Sequence, residues 1–283
     1  MDIIDRIIKK DFRPSKSDKI LIEYVNNNAE ECIYKSICEI AREVSLGEAT
    51  ITRFTKKMGF SGFQEFKVSL TKELSKESGK NVISTVVNID EKAHVTAEKL
   101  FNSYKEVMER TLKDLNYSNI LTIKDLILKG KKIFFFGIGN SGIVAMDANY
   151  KFMRIGLNCM SVSDSHTMVM LSSLMKEDDV LFAISHTGET KEILKTIKVA
   201  KENGTKIISL TGSNSNSLID ISDVNINYVS VETIFETGSI LSKLVQVFLI
   251  ELIYSEVIKD SYESSIENKV KTTEALEKFK YYK

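Results

Sequence analysis

The 283-residue chain has one proline, no tryptophan and three cysteines, and its basic and acidic residues are equal in number. A single proline beside 13 glycines argues against an all-β or low-complexity protein and for much helix. The cysteines, Cys32, Cys38 and Cys159, are odd in number and show no CxxC spacing. Two of them sit at helix-like spacing in an apolar segment, which favours reduced core thiols over a disulfide framework. Zero net charge means that global charge implies neither a nucleic-acid nor a membrane partner, although a local basic face is compatible with it. No apolar run approaches the length of a membrane span. The start, Met1-Asp-Ile-Ile-Asp-Arg6, lacks the basic-then-apolar pattern of a signal peptide. A cytoplasmic protein with no membrane partner is expected, long enough for one large domain or two ordinary ones.

Near the middle lies Lys131-Lys-Ile-Phe-Phe-Phe-Gly-Ile-Gly-Asn-Ser-Gly142. The apolar run Ile133 to Phe136 reads as a buried strand ending in a glycine turn, followed by a long amphipathic segment, Ile143 to Ile155. Glycines let backbone approach a ligand, and the N–H groups that open a helix attract anions. Val180-Leu-Phe-Ala-Ile-Ser-His-Thr-Gly-Glu-Thr190 repeats the arrangement with hydroxyls in place of glycines. Two such mouths on neighbouring parallel strands would make a pocket for a small phosphorylated molecule.

The first stretch, to about Leu74, reads as helices joined by short connections. One runs from a polar start at Ser15–Lys19 to Asn26–Asn28, a second covers Ser36 to Val44, and Ser45-Leu-Gly47 is a turn. A third spans Glu48 to Met58, with Ile51, Phe54 and Met58 inward and Thr50, Thr52, Arg53, Lys56 and Lys57 outward. Gly59 ends it with a left-handed cap, and a fourth helix follows with Phe63, Phe66, Val68 and Leu70 among its apolar residues. A short turn before a helix bearing hydroxyls and cations early on its outer face is helix-turn-helix logic. Threonines can reach base edges or phosphates, and the cations can neutralise phosphates. A plain helical bundle with a solvated basic face carries the same pattern.

Residues 76–90 read as a linker, polar at first and then briefly apolar from Val82 to Ile89. Helices are expected over Glu91–Leu115 and Thr122–Lys129. From Lys131 strands and helices alternate, which implies a parallel sheet covered on both faces. The expected strands are 132–136, 158–162, 180–184, 206–210 and 224–228. The expected helices are 141–155, 166–175, 190–203 and 236–257, with a charged tail beyond Lys259 that is helical or frayed. In such sheets ligands bind beyond the carboxyl ends of the strands, where both special loops sit.

Gly137-Ile-Gly-Asn-Ser-Gly142 satisfies GxGxxG, and Asp164 lies at about the distance a ribose-binding acid would need. The second loop points instead to phosphate: Ser185, Thr187 and Thr190 crowd hydroxyls at a helix start, Gly188 allows close approach, and Ser141 could add another donor. Capping of the helix explains one or two of these hydroxyls without requiring all of them. Isomerising a sugar phosphate would need a general base and groups for ring opening. Glu232 and Glu236 are the carboxylates placed to approach the pocket, and both also suit a helix start. His166 reads as opening a helix and His94 as a surface residue. With no convincing acid/base pair, sensing is favoured over turnover, and no cofactor or metal is expected.

The segment Gly137-x-Gly-x-Ser141, followed by Ser185-His-Thr-Gly-Glu-Thr190, resembles the SIS (sugar isomerase) domain, whose known ligands are phosphosugars. Ala41 and Ala49-Thr-Ile-Thr-Arg-Phe-Thr-Lys-Lys-Met-Gly-Phe-Ser-Gly-Phe63 resemble the helix-turn-helix domain of the RpiR family of bacterial transcriptional regulators. The resemblance covers nearly the whole chain, with the two motif sets in the family's order. It implies two domains: an all-α helix-turn-helix head over 1–75 and, after the 76–90 linker, a Rossmann-like α/β parallel-sheet sandwich of SIS type over 91–260, then a tail over 261–283. It further implies Ser141, Ser185, Thr187 and Thr190 as phosphosugar contacts, with Asn140 and His186 nearby and Glu236 able to meet a ligand hydroxyl. The outer residues Thr50, Thr52, Arg53, Lys56 and Lys57 would meet double-stranded operator DNA. The protein would act as a homodimer or homotetramer that answers a phosphosugar effector and controls carbohydrate genes. The alternative is an SIS-type isomerase with a helical appendage. Where such regulators often have glycine in the turn and serine opening the recognition helix, this chain has Ser45 and Gly47, so a hydroxyl suited to phosphate is lost at position 47.

Overall fold

The computed structural model describes residues 2–78, 87, 88, 90–212, 215–231 and 240–280, and these form two compact units. The first is wholly helical: α1 (Ile3–Ile7), α2 (Lys16–Asn27), α3 (Ala29–Cys32), α4 (Ile37–Glu43), α5 (Glu48–Lys57) and α6 (Phe63–Ser78). Two capping boxes start its helices. Ser15 exchanges hydrogen bonds with Asp18 at α2, and Ser36 does the same with Glu39 at α4. Leu21, Ile40, Ile51, Phe54, Met58, Phe66 and Leu70 meet in one core, into which Cys32 is also buried. Burial pushes the Cys32 thiol up to about 12, so it stays protonated, and all three cysteines are free.

The turn between α4 and α5 has a defined geometry. Ser45 sits in the left-handed region at φ 54°, its N–H donates to Arg42 O and that of Leu46 donates to Ala41 O. This double closure of a helix end usually employs glycine, and here a serine carries it. Gly47 opens α5 without a side-chain cap.

Helix α7 (Ala93–Asp114) follows, and the division between the compact units falls after Arg110, within it. The second unit holds α8 (Tyr117–Lys129), β1 (Ile133–Gly137), α9 (Asn140–Arg154), β2 (Cys159–Val162), α10 (Ser165–Leu174), β3 (Val180–Ile184) and α11 (Lys191–Glu202). Then come β4 (Lys206–Thr211), α12 (Ser217–Ile221), β5 (Val224–Asn227), α13 (Ile240–Asp260) and α14 (Tyr262–Lys280). The sheet is parallel throughout, in the order β2-β1-β3-β4-β5. Side-chain alternation splits its core. Phe134, Phe136, Leu181, Ala183 and Ile207 face α10, α11 and α12. Phe135 stacks on Phe152 of α9 at 5.5 Å, and Phe152 meets Tyr254 of α13 edge-on.

The expected strands appear within one residue at each end. Helix α8 begins five residues before Thr122, where the Asn116 side chain accepts from Ser118 N–H. The charged tail is helical as α14. The helices α1, α3 and α12 were not expected. Most of the Val82–Ile89 stretch, the start of the helix expected from Glu236, and Glu232 and Glu236 themselves lie outside the described residues.

Candidate functional site

In the strand order, β1 crosses to β2 on one side while β3 and its successors build the other side, so the chain reverses direction between β1 and β3. Gly137 at the end of β1 pairs in register with Ile184 at the end of β3, which sets the two following loops side by side. Such a reversal leaves a crevice at the carboxyl edge of the sheet.

Helix α9 opens at Gly139, whose φ of 62° with ψ of −129° is a conformation that suits only glycine, and no side chain caps it. Helix α11 opens at Thr190, likewise without a side-chain cap hydrogen bond. The helices after β2 and β4 are closed by side chains: Asp164 accepts from Thr167 N–H, and Asn216 accepts from Leu218 and Ile219 N–H. The two helices at the crevice thus direct helix-start N–H groups and the positive end of the helix dipole toward it without a capping side chain.

Asn140 and Ser141 form the first turn of α9, with Ser141 buried. In the second loop Ser185 is buried, its Oγ accepting from Gly188 N–H at 3.2 Å and lying 3.1 Å from Thr190 Oγ1. Thr187 is exposed, and its hydroxyl accepts from Glu189 N–H. The hydroxyl cluster therefore organises its own loop: one proton of the Ser185–Thr190 pair is spent between the two, and the other, with that of Thr187, remains to donate.

His186 is held by residues that no local spacing reveals. Its Nδ1 lies 2.7 Å from Tyr228 Oη, and that hydroxyl accepts from Gln246 Nε2 at 2.6 Å. The Tyr228 hydroxyl thus ties the His186 ring to Gln246 and leaves the ring's Nε2 outside this hydrogen-bond pair. Tyr228 follows β5 and Gln246 is buried on α13, so sequence reading missed both as members of the site.

The loop is also fastened to α12. Gly188 has φ 67°, and an added Cβ would lie 2.1 Å from the Asn216 side chain. Leu218 N–H donates to Gly188 O, and the Glu189 carboxylate accepts from the Ser217 N–H and hydroxyl. Asp164, the acid a ribose would need, is committed to α10. Hydrogen bonds from the Thr167 backbone and hydroxyl hold its carboxyl below the usual range. The dinucleotide reading loses its acid there.

In the first unit, α5 buries Ile51, Phe54 and Thr55 and exposes Arg53, Lys56 and Lys57, with Thr50 and Thr52 half-buried. Arg53 reaches Thr50 Oγ1 at 3.3 Å. Lys57 has a structural task as well: its Nζ lies 2.6 Å from Asp18, the buried cap of α2, and stands over the Phe12 ring. Thr50, Arg53 and Lys56 thus belong to one exposed face, and Lys57 is shared between that face and the core. Among the described residues no cluster of His, Cys, Asp or Glu could hold a metal, and no helix is long and apolar enough to cross a membrane.

Comparison with known proteins settles the family. Residues 1–77 match the helix-turn-helix domain of the rpiR family, and residues 126–255 match the SIS domain. The chain belongs to the RpiR family of transcriptional regulators. An uncharacterised HTH-type transcriptional regulator of Clostridium perfringens is 50% identical over 98% of this chain and 99% of its own. The HTH-type regulator HexR of Escherichia coli is 31% identical over 75% of this chain and 73% of its own. Among solved structures, Vibrio vulnificus NanR complexed with ManNAc-6P shares the fold over 98% of this chain and 99% of its own, with TM-score 0.84 at 23% identity. As an RpiR-family member the protein is a DNA-binding transcriptional regulator with a helix-turn-helix head and an SIS domain.

Proposed function

We propose that this regulator binds a phosphosugar in the β1/β3 crevice and that the bound effector alters its hold on operator DNA upstream of carbohydrate genes. One observation carries the reading. The helices α9 and α11, side by side at the switch point, open without side-chain caps beside the hydroxyls of Ser141, Ser185 and Thr190. Several donors converging without a fixed cation suit a phosphate dianion. In this assignment Ser141, Ser185, Thr187 and Thr190 take the phosphate, Asn140 and His186 flank it, and Glu236 meets a sugar hydroxyl. The DNA is met by Thr50, Thr52, Arg53 and Lys56, with Lys57 contributing its free face. The working units are a head over 1–75, a linker over 76–90, an SIS domain over 91–260 and a tail over 261–283. They act in the cytoplasm as a homodimer or homotetramer.

The test is a gel shift on the chain's own upstream DNA with a panel of sugar phosphates, N-acetylmannosamine 6-phosphate included because a regulator of the same fold is complexed with it. A specific shift that one compound alters supports the reading, and no specific shift under any condition refutes it. An isomerase reading has its own support, since a Listeria monocytogenes putative sugar-phosphate isomerase shares the SIS fold at TM-score 0.55. Binding without turnover is expected because the chain carries a helix-turn-helix head and its full-length relatives are named transcriptional regulators. Conversion of an aldose phosphate to its ketose by the pure protein would overturn that.

A further inference from the structure

The neutral total charge of the chain hides an uneven stretch. From Lys9 to Ser17 the sequence carries Lys9, Lys10, Arg13 and Lys16 against the single acid Asp11. This stretch leads from α1 into α2, and it is fastened to the end of α5. The N–H groups of Lys9 and Lys10 both donate to Met58 O, at 2.9 and 3.1 Å, which closes the C-terminus of that helix. The approach is close enough that a Cβ added to Gly59 would lie 2.8 Å from Lys9 Cβ. The Phe12 ring then meets Phe54 edge-on, 6.1 Å between centroids, and lies under the Lys57 ammonium. Thr50, Arg53 and Lys57 follow one another at i, i+3 and i+7 along α5, so the stretch meets the exposed face of the helix where that row ends. Lys9 pairs with Glu65, whereas Lys10, Arg13 and Lys16 are exposed and, among the described residues, enter no ion pair. Attraction to the negative end of α5 accounts for Lys10. It does not account for Arg13, beyond the Phe12 anchor, and Lys16 stands in the first turn of α2, the end of a helix that disfavours a cation.

We infer that Lys10, Arg13 and Lys16 form a second DNA contact of the head, gripping backbone phosphates beside the groove that α5 enters. The inference rests on α5 being the helix that reads DNA. A helix with its side chains is about 10–12 Å across and the major groove is about 12 Å wide, so an element packed on the flank of α5 stands at the phosphate wall. Cations placed there neutralise phosphates, and each one neutralised releases condensed counterions. Lysine and arginine do this without reading a base. The stretch is also held ready: two amide hydrogen bonds, the Phe12 anchor and the fixed φ of Pro14 leave little backbone freedom to lose on binding. The two contacts therefore divide the work. Helix α5 selects the site, and the stretch before α2 supplies affinity that does not depend on sequence and sets the orientation of the head on the duplex.

The test is fluorescence anisotropy of the full-length protein on its own upstream DNA and on an unrelated duplex, over a range of salt. The triple variant Lys10→Ala, Arg13→Ala, Lys16→Ala should bind both duplexes more weakly, by roughly tenfold to a hundredfold at physiological salt. Its slope of log affinity against log salt should be shallower by about 2–3, at about 0.9 for each phosphate, while its preference between the duplexes holds. Asp11→Lys should strengthen both complexes and steepen the slope by about 1, and it decides the matter should the triple variant fail to fold. Lys76→Ala, which removes an exposed cation of the same head from α6, should change neither affinity nor slope. An unaltered slope in the triple variant, or a comparable fall for each charge removed at Lys76, overturns the inference. Arg53→Ala keeps the two readings apart. A triple variant that weakens binding while Arg53→Ala spares it upholds the phosphate contact and refutes α5 as the reading helix; the converse overturns the contact alone. A wild type that binds neither duplex overturns both.

Discussion

Replacing Gly188 by alanine tests whether the second loop is held as its contacts indicate. The residue has φ 67°, and a left-handed conformation costs an alanine about 1–2 kcal/mol, partly offset by the reduced freedom of the unfolded chain. The larger cost is steric. The new Cβ would lie 2.1 Å from Cγ and Oδ1 of Asn216, a fully buried side chain that caps α12 through Leu218 and Ile219 N–H. Displacing it forfeits a cap worth about 1 kcal/mol and strands a buried amide at about 1–3 kcal/mol. The sum is about 3 kcal/mol, or about 6–12 °C in the unfolding midpoint of the SIS domain. Gly139→Ala is the control, because its φ is also positive but nothing lies within 4 Å of the added Cβ. Only backbone strain is at stake there, about 1–3 kcal/mol at φ 62° and ψ −129°, with an expected loss of about 2–12 °C. Differential scanning calorimetry of the three proteins reads both losses directly. A Gly188→Ala midpoint within about 2 °C of wild type refutes the idea that Asn216 fastens the loop.

Ser185→Ala should weaken effector binding by about tenfold to a hundredfold, the worth of a hydrogen bond to a charged group, and leave effector-free DNA affinity unchanged; calorimetric titration and gel shift read the two separately. Arg53→Ala should do the reverse, lowering DNA affinity and reducing the slope of log affinity against log salt by about 1. Burial alone would raise the Asp18 carboxyl, but hydrogen bonds from Lys57 and Ser15 outweigh it and hold the group below its ordinary value. Its contribution is therefore complete above about pH 4 and lost as pH falls through the lower folded value. Lys57→Met should destabilise the head by about 1–2 kcal/mol at neutral pH and flatten that acid limb in urea titrations. Ser45→Gly should stabilise the head by up to about 1 kcal/mol, because glycine holds the left-handed turn without strain; a fall in urea midpoint would contradict the turn geometry.

Much of the sheet was legible because Ile133–Phe136 and Val180–Ile184 are unbroken apolar runs, as strands covered on both faces must be. The helices α1, α3 and α12 are four or five residues long, too short for a period to show. The hydroxyls of the second loop were legible because they sit within six residues of chain. Their fastening was not, since Asn216, Ser217, Tyr228 and Gln246 arrive from elements whose own sequences carry no motif.

Regulation requires an element whose equilibrium both the ligand and the DNA bias, rather than mere proximity. Helix α9 is placed to pass a ligand's pull to the rest of the SIS domain: its first turn carries Asn140 and Ser141 at the crevice, and its last turn is held to the sheet by fully buried Phe152 against Phe135 and Tyr254. Because that packing leaves little slack, a shift of α9 toward an anion at its N-terminus would be shared with β1 and α13. Linkage makes this strict: whatever factor the ligand applies to the affinity for DNA, DNA must apply to the ligand's affinity, and a ligand with equal affinity for both states regulates nothing.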